Sequence, residues 1–119
     1  MESMRLGAVE SRFADMIWNG EPISTSALVA QAEKTLSWKR TTTYTVLKRL
    51  CQRGIFQNQG GIVTSLISRQ EFYARQSERF VDDTFDGSLP AFLAAFTSRK
   101  GLGEDEVREL EKLIEKYRG

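Results

Sequence analysis

Five cations stand with no acid among them in residues 38–54, WKRTTTYTVLKRLCQRG: Lys39, Arg40, Lys48, Arg49 and Arg53. Thr41, Thr42, Thr43 and Thr45 lie between them. Such a run can meet a nucleic acid, an acidic protein surface, or only water, and a basic stretch on a helix is most often a solvated face. The threonines favour the first. A threonine hydroxyl can bond a base edge or a phosphate, and its methyl can touch the methyl of thymine. Lys and Arg neutralise phosphates, which fixes position without reading sequence.

Bond-making chemistry lacks its parts. The chain has no histidine, and it contains no Gly-rich phosphate loop, no G-x-S-x-G elbow and no H-E-x-x-H. Asp82 and Asp83 are adjacent and so point apart on a helix, while Glu104, Asp105 and Glu106 suit a helix start. No catalytic residue, metal ligand set or cofactor is expected. The single cysteine, Cys51, excludes an intramolecular disulfide and a cysteine-based zinc site. It reads as a small core residue on the inner side of its helix. Apolar runs fall far short of the roughly 20 residues that span a membrane, and no signal-peptide pattern opens the chain, so a cytoplasmic location is expected.

The chain of 119 residues has 17 basic and 16 acidic side chains, but the balance is uneven. Residues 1–67 hold eight Lys/Arg against five Asp/Glu, and residues 68–119 hold nine against eleven. The positive charge is local, which suits a docking surface better than general adhesion.

A helix is needed to carry these groups, and the spacing supplies one over about 41–53. Tyr44, Leu47, Leu50 and Cys51 are expected on one side, with Thr41, Thr42, Thr45, Lys48, Arg49 and Gln52 opposite. Before it, AVESRFADMIWNG has helical spacing at Val9, Phe13, Met16 and Ile17, with Gly20 at a left-handed end. Ser24 is placed to cap a short second helix after the extended connector EPIS. Gly54 ends the third helix, and Gly60-Gly61 between β-branched runs signals a tight hairpin. Three helices and a hairpin form a winged helix-turn-helix, in which the third helix enters the DNA major groove. Beyond Ser68 the pattern is helical again, over 69–85, 88–98 and 104–117, giving a mainly α chain with a DNA-binding domain at 1–67 and a helical domain at 68–119.

The second domain carries excess apolar surface. Phe72, Phe80, Phe85, Phe92 and Phe96 place five rings in about twenty-five residues, with Leu89 and Leu93 beside them. Leu110, Ile114 and Tyr117 continue a stripe from Val107 at the spacing of a paired helix. A homodimer is expected to cover these residues. The rival reading is a helical protein–protein adaptor, which would use the same surface and leave 39–53 as solubility charge.

LSWKRTTTYTVLKRLCQRGIF, followed by SLISRQEFYARQSERFVDDTFDGSLPAFLAAF, resembles the penicillinase-repressor family of bacterial transcription factors. The resemblance implies a dimeric repressor with its winged helix on double-stranded DNA at a palindromic operator, and with its C-terminal helices paired. The charge run, the threonine cluster and the place of the third helix make Lys39, Arg40, Thr41, Thr42, Thr43, Thr45, Lys48, Arg49 and Arg53 the expected DNA contacts. Three departures limit the resemblance. The wing, QNQGG, has no Lys or Arg; the Asn-Phe bond cut in the β-lactamase regulators reads Ala95-Phe96; and the C-terminal cysteine cluster of the copper-responsive members is missing.

Overall fold

Helix α1 (Ala8–Gly20) turns Phe13, Ala14, Met16 and Ile17 inward, as three- and four-residue spacing requires. The structure is a computed structural model that describes residues 6–119. The end of α1 differs from the expectation. Gly20 remains helical, and the chain leaves at Glu21 in extended conformation, φ −67°, next to a cis Glu21–Pro22 bond. Proline supplies the exit that a left-handed glycine would have given.

After the two-residue strand β1 (Ile23–Ser24), the Ser24 hydroxyl accepts the Ala27 N–H at 3.1 Å and caps α2 (Thr25–Leu36). Ser37, at φ +57°, then reverses the chain into α3 (Arg40–Gln52). Gly54 closes α3 at φ +80°. The Gly54 N–H donates to the Cys51 carbonyl and the Ile55 N–H to the Leu50 carbonyl, which satisfies two end groups that the helix leaves open.

The hairpin β2 (Phe56–Gln59) and β3 (Ile62–Ser65) pairs Gln59 with Ile62, leaving Gly60 and Gly61 as a two-residue loop at φ +61° and +86°. Both central positions need the left-handed region, and two glycines accept it without a Cβ clash. Strand β1 pairs with β3, so the antiparallel sheet runs β1-β3-β2. Glu21 ties the first strand to the last. Its carboxylate accepts the Ser65 N–H at 2.7 Å and the Ser65 hydroxyl at 2.8 Å. Three helices and this small sheet are the winged helix expected from the sequence.

The chain divides into two compact units, one up to Arg79 and one from Phe80 onward, a later break than the one expected after Ile67. The reason lies in α4 (Arg69–Phe85), whose first turns join the core of the first unit. Phe72 is fully buried there, its ring 5.7 Å from Trp18 and 5.3 Å from Tyr73. Trp18 also lies 5.1 Å from Phe56 and donates its indole N–H to the Ile67 carbonyl, so α1, the hairpin and α4 share one anchor. Phe13, Ile17, Leu28, Leu50, Ile55 and Val63 complete this core. Phe72 is therefore a core residue of the first unit and not part of a dimer surface; its helical spacing alone could not distinguish the two roles.

The second unit holds the end of α4, α5 (Leu89–Thr97) and α6 (Glu104–Tyr117). Ser88 caps α5 by accepting the Ala91 N–H, and the carboxylates of Glu104, Asp105 and Glu106 occupy the first turn of α6, where the helix dipole favours them. Phe80, Phe85 and Phe92 meet edge-on at 5.7–6.0 Å. Neither α5 nor α6 contains a fully buried residue.

Candidate nucleic-acid interface

Helix α3 places its residues in two sets. Thr43, Val46, Leu47 and Leu50 face inward at steps of three, one and three. Thr41, Thr42, Thr45, Lys48, Arg49 and Gln52 are exposed. The inward stripe is turned relative to the expected one: Tyr44 and Cys51 are only half-buried, at its edge.

Thr43, expected among the DNA contacts, is buried on the inward side of α3. It is 1% exposed, and its hydroxyl donates to the Lys39 carbonyl at 3.3 Å. A threonine has nearly the shape of a valine, and this bond removes the cost of burying its oxygen. Thr43 packs the helix against the core and cannot reach a duplex. The Thr45 hydroxyl donates to the Thr41 carbonyl at 2.8 Å, which commits its hydrogen but leaves its lone pairs able to accept on an exposed residue.

The start of α3 is electrostatically unusual. No side chain caps it, and its first turn has no acid. Lys39 and Arg40 instead add charge to an end where unbonded N–H groups and the helix dipole already present positive potential, a combination that suits an anion. The Arg40 guanidinium lies 5.6 Å from the centre of the Tyr44 ring, which restricts it over that ring. Lys39, Arg40 and Lys48 form no ion pair among the described residues. Arg53 sits at the C-cap, half-buried.

Arg49 is held. Its Nη1 donates to Glu10 Oε2 on α1 at 2.7 Å, a pairing across 39 positions that no sequence pattern signals. Beside α3, Tyr44, Leu47, Lys48, Cys51 and Asn58 line a cleft of about 360 Å³ next to β2. Burial pushes the Cys51 thiol above its ordinary pKa, which disfavours the reactive thiolate. The wing presents Asn58, whose side-chain oxygen accepts the Gly61 N–H at 3.1 Å, and Gln57, whose amide donates to the Thr64 hydroxyl.

The second unit brings Leu89, Leu93, Leu110, Ile114 and Tyr117 together around an almost wholly apolar groove of about 700 Å³. Leu102 and Leu113, which the spacing argument does not single out, line it too. Phe80, Phe85, Phe92 and Phe96 form a separate ring cluster.

A family model described as penicillinase repressor matches residues 6–116, nearly the whole chain. The chain belongs to the penicillinase repressor family. The family is one of transcriptional repressors, not enzymes. Among curated proteins, the penicillinase repressor of Bacillus licheniformis is 22% identical over 118 residues, covering 96% of this chain and 92% of that one. The match therefore spans both the winged helix and the C-terminal helices. No helix among the described residues is long and apolar enough to cross a membrane.

Proposed function

We propose that this member of the penicillinase repressor family is a sequence-specific repressor that binds a palindromic operator in double-stranded DNA as a homodimer. The observation that carries the reading is the outer side of α3, where Thr41, Thr42, Thr45, Lys48 and Arg49 are all exposed on one short helix with an uncapped, cationic start. An α-helix fits the major groove, and residues near its N-terminus are the ones that reach base edges. Thr41, Thr42 and Thr45 read bases; Lys39, Arg40, Lys48, Arg49 and Arg53 hold the backbone.

The homodimer rests on the second unit. Ile114 and Tyr117 are 59% and 70% exposed, around a groove with almost no polar lining, and a second copy of the same face would cover both. Selection of bound sites from random DNA with the purified protein tests the whole reading. Enrichment of an inverted repeat with half-sites about one helical turn apart, near 34–36 Å, or a multiple, is expected. No enrichment over input would favour the adaptor reading and leave the basic helix as solubility charge.

A further inference from the structure

Glu10 reaches from α1 to the outer side of α3, and its environment is that of a fixed group. It lies in the first turn of α1 with its side chain 23% exposed. Its Oε1 accepts the Gly7 N–H at 3.3 Å and its Oε2 accepts Arg49 Nη1 at 2.7 Å. Arg49 is the freer partner, 52% exposed, and the pair engages only one end of its guanidinium fork. The remaining N–H donors stay available to a second acceptor.

Resting on the DNA-binding reading above, we propose that Glu10 is a positioning residue for operator recognition: anchored on α1, it aims the Arg49 guanidinium outward so that its open donors meet a phosphate of the duplex. A long side chain loses rotamer freedom when it binds, and holding it beforehand removes part of that loss from the binding step. The opposing effect is repulsion between the carboxylate and the phosphate. Across a guanidinium, several ångströms of high-dielectric surface and physiological salt separate the two charges, which weakens that repulsion. Positioning is the larger effect.

The test uses the full-length protein and the duplex that it selects from random DNA. Glu10→Gln keeps an acceptor for the Gly7 amide, because glutamine serves at this helix position as glutamate does, but it weakens the hold on Arg49. Glu10→Gln should lose about three- to tenfold in affinity for the selected duplex, with an unchanged melting temperature. Adding Glu10→Gln to Arg49→Ala should cause no further loss. Arg49→Lys, which retains the charge but not the fork, should lose about as much as Glu10→Gln. Unchanged or tighter binding by Glu10→Gln would overturn the proposal, as would losses that simply add in the double variant. A lower melting temperature with unchanged affinity would make the pair only a tether between α1 and α3. If the wild-type chain selects no duplex, the DNA-binding reading itself fails, a result distinct from any of these.

Discussion

The two units of this chain solve the problem of apolar surface in opposite ways. The first hides its large side chains within itself: Phe13, Phe56, Phe72, Ile17 and Leu28 are fully buried, and Trp18 joins three elements around them. The second has as rich a set of rings and leucines, yet its α5 and α6 bury none completely. A unit that can close its own core is free to present a polar face, and α3 does so. A unit that leaves its core open presents an apolar face, and α5 and α6 do so.

Breaking the closed core should give the largest effect. Phe13→Ala removes a ring packed 5.0 Å from Trp38 and should cost about 3–5 kcal/mol, read as a fall in the denaturation midpoint. A change in the open unit should behave differently. Ile114→Asp puts a carboxylate where the protomer alone exposes the side chain, so the fold should survive while sedimentation shows monomers, because only a paired interface would bury that charge unpaired. An unchanged dimer would move the interface away from α6.

The next effect is smaller and acts on the polar face. Thr42→Ala and Thr45→Ala should each narrow the preference for the selected duplex over a scrambled one by about 1–3 kcal/mol. Stability should hold or rise by a few tenths of a kcal/mol, since alanine is the better helix former at an exposed site. A drop in stability with intact discrimination would remove these residues from the reading surface.

Cys51, half-buried at the edge of the inward stripe of α3, should show the least. Burial raises its pKa, so alkylation at neutral pH should be slower than for a free thiol and should accelerate only at higher pH. Because the folded chain keeps this proton to higher pH than the unfolded chain does, the thiol's contribution to stability is present below the ordinary thiol pKa and declines as pH rises above it.

Most of this organisation is legible in the residues. Gly54, Gly60-Gly61, Ser24 and Ser88 act through local backbone chemistry, and each lies where its type predicts a turn or a cap. The extended exit at Glu21-Pro22 is equally local, but Gly20 invites a role that proline fills. The failures are non-local. Thr43 and Phe72 carry polar and aromatic side chains that suit either side of a helix, and only the facing elements settle which side is buried. The Glu10–Arg49 pair joins residues from different helices, so neither sequence neighbourhood contains it.

In the proposed function the exposed side of α3 meets a phosphate backbone while it reads bases. The most direct measurement is the affinity for the selected duplex as a function of salt, in the wild type and in Lys48→Ala. The expected result is a log–log slope of about −4 or steeper for a dimer, with a clear preference over scrambled DNA, and a slope smaller in magnitude by roughly one for every phosphate that Lys48→Ala leaves without its cation. A shallow slope that Lys48→Ala does not change, with equal affinity for both duplexes, would contradict it.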